Sequence, residues 1–112
     1  MLASICELVL QQIAAKAKAN NIKVYVGTCL PYQGSFNYDE AGNDKRLAIN
    51  AWLRQSGVSD GGFDAVIDYN LVMRGENNPN ILRAEFDSGD GTHPNAAGYQ
   101  VMTNAFNLKL FR

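Results

Sequence analysis

The chain of 112 residues has no long apolar run, no excess of either charge, two cysteines and one histidine. No apolar stretch approaches the roughly 20 residues that a membrane-spanning helix needs. Ten Lys and Arg against eleven Asp and Glu leave a net charge of -1, which excludes the basic surface typical of nucleic-acid-binding domains. A single histidine, His93, excludes a His-rich metal centre. The sequence alone therefore predicts no metal site, no nucleic acid partner and no membrane span.

What the chain does contain is typical of a globular protein. Apolar residues make up 46% of it and aromatic residues 10%, which is too apolar for a disordered segment. A chain of this length forms one small domain or part of a larger one.

Hydrophobic patterning predicts an α/β protein. Two short apolar stretches, Ile22–Thr28 and Phe63–Tyr69, are typical of strands buried on both faces. A helical pattern precedes the first strand, and Ser4 and Glu7 have capping-box spacing near its start. Strands joined by a helical crossover are expected to be parallel.

Two more helices are predicted from apolar spacing. The crossover helix covers about residues 43–56, and the last helix follows Asn95, which has the position of an N-cap. The expected core residues of the crossover helix are Leu47, Ile49, Trp52 and Leu53. The connections at residues 29–43 and 75–91 are predicted loops, and loops of the latter length are often functional.

Two parallel strands make a poor sheet on their own, because both outer edges stay unpaired. We therefore expect further strands to come from another segment or from a partner chain.

The two cysteines, Cys6 and Cys29, are expected at the same end of the helix and strand that carry them. Helix–sheet spacing exceeds the roughly 7 Å that a disulfide tolerates between Cα atoms. Two outcomes stay open: a disulfide, or two buried thiols, which the spacing favours.

The most informative stretch is residues 89–99, GDGTHPNAAGY. A carboxylate three residues before a histidine can fold back in a turn and accept the Nδ1 proton, which fixes the tautomer. Asp90 and His93 have this spacing, and Pro94 favours an extended backbone at His93. The simpler alternative is an exposed histidine beside a helix-capping aspartate. The alternating Asp/Asn pattern of a calcium loop is absent.

Several segments together resemble the GDSL/SGNH esterases and lipases. Residues 90–95 (DGTHPN), followed by Ala97-Gly98-Tyr99, resemble the last block of that family. Residues 23–28 with Pro31-Tyr32 resemble its late central strand and the following loop. Residues 46–54 (RLAINAWLR) resemble its Asn-Ala-Trp helix, and residues 63–68 resemble its final strand.

The resemblance implies a function and a fold. Asp90 and His93 would be the acid and base of a Ser–His–Asp triad in an ester hydrolase that uses no cofactor or metal. The implied fold is a three-layer α/β/α sandwich of the flavodoxin-like SGNH type, with a parallel sheet of about five strands. Residues 1–112 would form the C-terminal portion of one such domain, and the substrate would be an acetylated sugar or a short-chain lipid ester. Secretion is expected from the resemblance alone.

The chain departs from the family pattern in one respect. The family's nucleophile lies in an N-terminal Gly-Asp-Ser block, and its oxyanion-hole Gly and Asn lie in two further blocks; none of these is present here. Ser88, the serine nearest to His93 in sequence, is interpreted as a solvated loop residue. The expected partner is therefore the N-terminal half of the same fold or a second copy of the chain.

Two alternatives to the ester hydrolase remain open. One is a non-catalytic binding or assembly module derived from this fold, and the other is one half of a split enzyme. Three aromatic residues in the loop after the first strand, Tyr32, Phe36 and Tyr38, lie where α/β sheets bind ligands. They are predicted to line an acyl or sugar pocket, or else to pack under the loop.

Overall fold

The computed structural model describes residues 2–111, with side chains from residue 5 onward. The α-helices are α1 (Leu2–Ala19), α2 (Glu40–Ser56), α3 (Tyr69–Met73) and α4 (Ala96–Ala105). The strands are β1 (Tyr25–Gly27) and β2 (Ala65–Ile67), and short 3-10 turns cover Ala84–Phe86 and Leu108–Phe111. Within this span, every helix is too short or too polar to cross a bilayer.

The two strands pair in parallel, as predicted. Tyr25 is opposite Ala65, and Gly27 is opposite Ile67. Each strand is shorter than its apolar stretch, although backbone pairing continues on both sides, with Asp64 N donating to Val24 O and Thr28 N to Ile67 O. The fold class is therefore α/β, and the five-stranded sandwich stays a prediction.

The helix boundaries correct two expectations. Helix α1 begins at Leu2, before Ser4, so the capping-box interpretation is wrong. Helix α2 begins three residues earlier than predicted, because Asp39 caps it by accepting from Gly42 N. The prediction for Asn95 is confirmed: its side chain accepts from Gly98 N at 2.9 Å and caps α4.

The apolar core lies between α1, α2 and one face of the sheet. Its buried centre consists of Ala14, Leu53 and Phe63. Other side chains pack around this centre and remain partly accessible: Leu10, Val24, Val26, Ile49, Trp52 and Val66. The core prediction was wrong for Leu47, which is 43% exposed. In its place, α2 buries the polar residues Asn43, Arg46 and Asn50.

The opposite side of the sheet is covered by the end of the chain. The Tyr25 ring makes edge-on contacts with Phe106 and Phe111, and the latter two rings stack at 5.2 Å. The Tyr25 hydroxyl also donates to the carbonyl of Leu110. The terminal 3-10 turn is therefore anchored on β1.

Both cysteines are free, and both are exposed. The expectation of two buried thiols is therefore wrong, and so is the alternative of a disulfide. Cys29 lies in the loop just after β1, and Cys6 lies in the N-terminal part of α1.

One side of α1 is apolar but accessible. The exposed fractions are 57% for Ile5 and Leu8, 50% for Val9 and 51% for Ile13. We call these four residues the α1 apolar stripe. Helix α1 thus buries Ala14 toward the core and leaves this stripe without cover from residues 2–111.

Candidate active site

Asp90 and His93 lie in a short hairpin that leads into α4. Residues Asp87 and Pro94 form an antiparallel bridge. Ser88 N donates to His93 O at 3.0 Å, and Asn95 N donates to Phe86 O at 2.8 Å. Because these bonds join the two arms, the backbone at residue 93 has a defined position next to the N-terminus of α4.

The tip of the hairpin is shaped by Asp87 and two glycines. The Asp87 Oδ1 atom accepts from Gly89 N at 2.8 Å and from Gly91 N at 3.1 Å. Gly89 has φ +118° and Gly91 has φ +75°, a region that other L-residues rarely occupy. The glycines therefore let the chain turn tightly enough to bring residue 90 back toward residue 93.

Asp90 holds both the backbone and the side chain of His93. Its Oδ1 atom accepts from the backbone N–H groups of Thr92 and His93, each at 2.8 Å. Its Oδ2 atom lies 2.6 Å from His93 Nδ1. The predicted hydrogen bond between this carboxylate and this ring nitrogen is thus confirmed.

The same hydrogen bonds stabilise the ionised form of Asp90. The backbone N–H of His93, then its imidazole and the backbone N–H of Thr92, hold the pKa of Asp90 well below its ordinary value. The carboxylate therefore stays ionised at neutral pH. An ionised acceptor at Nδ1 favours the tautomer that carries its proton there, which leaves Nε2 able to accept a proton.

The pair is open to solvent. The exposed fraction is 69% for the His93 side chain and 52% for the Asp90 side chain. The buried setting usual for a catalytic pair is therefore not supplied by residues 2–111.

Ser88 does not have the geometry of a nucleophile. Its hydroxyl donates to Asp90 Oδ1 at 3.2 Å, on the carboxylate side of the pair. A serine nucleophile must instead bond to the histidine nitrogen that accepts its proton. This contact supports the interpretation of Ser88 as a loop residue.

The aromatic loop after β1 touches the hairpin through its backbone. A β-carbon at Gly91 would lie 2.6 Å from the carbonyl carbon of Gly34, so the two chain segments are in close contact. The Tyr32 and Tyr38 rings pack 5.0 Å apart, whereas Phe36 is fully exposed. The role of Tyr32, Phe36 and Tyr38 in a substrate pocket stays a prediction.

A buried polar cluster lies behind this loop, and the sequence reasoning missed it. The guanidinium of Arg46 donates to the side-chain oxygens of Asn43 and Asn70 at 3.0 Å and of Asn80 at 3.2 Å. Arg46 is 6% exposed, and its burial lowers its pKa from the usual value. The signal available in the sequence was the spacing of Asn43, Arg46 and Asn50, which places three polar residues on one helical face.

The Arg46 cluster connects to the aromatic loop through Asn80. Gln33 N donates to the carbonyl of Asn80 at 2.9 Å, and Asn78 Nδ2 donates to the side chain of Gln33 at 2.8 Å. Because Gln33 precedes Gly34, the cluster fixes the segment that contacts the hairpin at Gly91.

No group of three or more His, Cys, Asp or Glu side chains within residues 2–111 is arranged to hold a metal ion. The hairpin supplies one histidine and its carboxylate partner, an arrangement suited to proton transfer.

Parallel strands joined by a helical crossover, with an Asp–His pair on a hairpin before the last helix, define an α/β protein with a candidate acid–base pair. A model of the GDSL-like Lipase/Acylhydrolase family matches residues 3–101. The chain therefore belongs to the GDSL-like lipase and acylhydrolase family, and this membership supports a hydrolase-type function. A search among curated proteins found no match.

Proposed function

We propose that this chain supplies the acid–base half of a Ser–His–Asp triad in a carboxylic ester hydrolase. Residues 1–112 would form the C-terminal portion of one hydrolase domain, and a separate segment with a Gly-Asp-Ser block would supply the nucleophile and oxyanion donors. The observation that carries the proposal is the 2.6 Å contact between His93 Nδ1 and Asp90 Oδ2, with Oδ1 held by two backbone N–H groups.

In this mechanism, His93 Nε2 accepts the proton of the serine hydroxyl as its oxygen attacks the ester carbonyl carbon. The resulting imidazolium is stabilised by the ionised Asp90. His93 then donates the proton to the leaving alcohol oxygen, and the C–O bond breaks to give an acyl-enzyme. His93 then deprotonates a water molecule, which attacks the acyl carbon. The bond from this carbon to the serine oxygen breaks, the serine oxygen takes the proton back from His93, and the carboxylic acid is released.

The substrates proposed are acetylated sugars or short-chain lipid esters. The contact between Gly34 and Gly91 brings the aromatic loop to the hairpin, which supports a role for the exposed Phe36 in contacting an alcohol or acyl group. Apolar and aromatic surfaces next to a few polar groups are typical of small-molecule sites. An extracellular location is part of the proposal and rests on the family resemblance.

The proposed partner is the remaining part of the same domain, and a second copy of this chain is the alternative. The α1 apolar stripe is half exposed on a helix whose other side packs on the core. Exposed apolar side chains gathered on one side of a helix support the presence of a partner there. If the partner also covered the candidate site, it would exclude water from the exposed Asp90–His93 pair. The electrostatic interaction between the two side chains would then be stronger, because the local dielectric constant would be lower.

The proposal is tested with a chimaera that joins the N-terminal segment of an active GDSL hydrolase, including its Gly-Asp-Ser block, to this complete chain. We expect hydrolysis of p-nitrophenyl acetate and labelling of the nucleophile by a fluorophosphonate. His93→Ala should reduce turnover by about three or more orders of magnitude. Asp90→Asn should also impair it, since an amide favours the wrong histidine tautomer.

Ser88→Ala is the matched control, because it changes the same hairpin and removes only one hydrogen bond to Asp90. It should retain most of the activity. Equal turnover in folded chimaeras with and without the His93→Ala substitution would refute the catalytic role. A folded chimaera that is inactive while the parent hydrolase is active would favour the non-catalytic module.

A further inference from the structure

A cavity of about 550 Å³ lies beside the segment that joins α3 to the hairpin. Its lining residues include two arginines, Arg74 and Arg83, together with Leu71, Glu76 and Pro79. None of these residues takes part in the proposed ester hydrolysis. The cavity therefore stands apart from the Asp90–His93 pair in its chemistry.

The charges of this cavity are not balanced within the described residues. Arg74 forms no ion pair there. Arg83 approaches Glu76 at 3.5 Å, and the Glu76 side chain is 78% exposed. Such a long, solvated contact is weak, so an incoming anion can replace it.

The backbone around the two arginines is fixed. Arg74 and Leu82 form an antiparallel bridge, and Arg83 N donates to Met73 O at 2.9 Å. Met73 and Leu82 are almost fully buried, which anchors both arms. Arg83 Nε also donates to the carbonyl of Arg74 at 3.0 Å. This bond orients the guanidinium, whose terminal nitrogens are engaged only in the weak contact with Glu76.

We propose that the Arg74–Arg83 cavity binds a small organic carboxylate. Guanidinium groups match the two oxygens of a carboxylate and form charge-assisted hydrogen bonds with them. Leu71 and Pro79 supply apolar surface for the body of the ligand. A neighbouring cavity of about 280 Å³ shares Gly75, Glu76 and Arg83 but is also lined by Glu85. Because the Glu85 carboxylate would repel the carboxylate of the ligand, the ligand's carboxylate lies toward Arg74.

The test is a titration of the full 112-residue chain with benzoate, followed by NMR shifts of its backbone amides. Benzoate should produce saturable shifts at residues 71, 74–76 and 83. Benzamide, its neutral analogue, should produce none. Arg74→Gln should weaken benzoate binding about tenfold, the effect of losing one charge-assisted hydrogen bond. Lys45→Gln, which removes the same charge from an exposed helical position, should leave it unchanged.

A variant that improves binding guards against loss of folding. Glu76→Gln removes the carboxylate that competes for Arg83, so benzoate should bind several-fold more tightly. Absence of saturable shifts with benzoate, or unchanged affinity in both Arg74→Gln and Glu76→Gln, would overturn the proposal. Binding of inorganic phosphate at least as tight as that of benzoate would also overturn it, because the site would then recognise anions without regard to the organic body.

Discussion

The backbones of Gly34 and Gly91 touch, so that residue 91 has no room for a side chain. This contact joins the aromatic loop after β1 to the hairpin that carries Asp90 and His93. Two segments far apart in sequence are thereby held together next to the candidate site.

Gly91→Ala should destabilise the protein by about 2–4 kcal/mol, because it combines φ +75° with a clash against Gly34. Urea unfolding measures the loss. Gly89→Ala is the control: residue 89 also has a positive φ, but nothing lies within 4 Å of its β-carbon. Amide shifts at residues 34 and 35 should change in the first variant only. Unchanged shifts there in Gly91→Ala would contradict the contact.

Asp90 should remain ionised well into the acid range. Its folded-state pKa is lowered by the N–H groups of His93 and Thr92. The stabilisation from this carboxylate is therefore complete above the unfolded-state pKa of about 3.9 and is lost as the pH falls toward the folded-state value. The ¹³C shift of the Asp90 carboxyl group follows its protonation. A titration midpoint of this shift near the ordinary aspartate pKa in the folded protein would refute the prediction. Asp90→Asn should make the free energy of unfolding less dependent on pH in the acid range.

Arg46→Met should lower the free energy of unfolding by about 2–4 kcal/mol, since it leaves the buried oxygens of Asn43 and Asn70 and the partly buried oxygen of Asn80 without their donor. Arg54→Met is the comparison, because Arg54 pairs with Asp68 in a partly exposed position. The Arg54→Met variant should lower the free energy of unfolding by less than about 1 kcal/mol. Equal decreases in the free energy of unfolding, measured with urea, would show that the Arg46 cluster stabilises the protein no more than a surface ion pair does.

The isolated chain should self-associate through the α1 apolar stripe. Ile13→Glu places a charge within the stripe and should shift the mass measured by light scattering toward that of a monomer. Gln12→Glu adds the same charge at the neighbouring exposed residue and should have little effect. A monomeric wild-type chain at micromolar concentration would contradict this expectation and, with it, the need for a partner on α1.

Local sequence signals predicted the elements near the site well. The Asn95 cap and the Asp90–His93 contact depend on residues three positions apart, and the structure confirms both. The prediction that the two strands pair in parallel was also correct, because two strands joined by a helical crossover have few possible arrangements in a sheet.

Long-range polar contacts were not predictable in the same way. Apolar periodicity placed Leu47 in the core, whereas Arg46 is buried instead. The cost of burying this charge is offset by asparagines at residues 43, 70 and 80, and two of these lie in other segments. Nothing in the pattern of α2 alone identifies those partners. The contact of Gly34 with Gly91 is equally invisible, since it joins two loops.

The hairpin of residues 86–95 forms its hydrogen bonds almost entirely with itself and with the first turn of α4. Contacts between residues so close in sequence carry little loop-closure entropy and form early in folding. The orientation of the histidine ring is thus set by contacts among about ten consecutive residues. A short segment of the chain therefore carries all the groups that position His93 relative to Asp90.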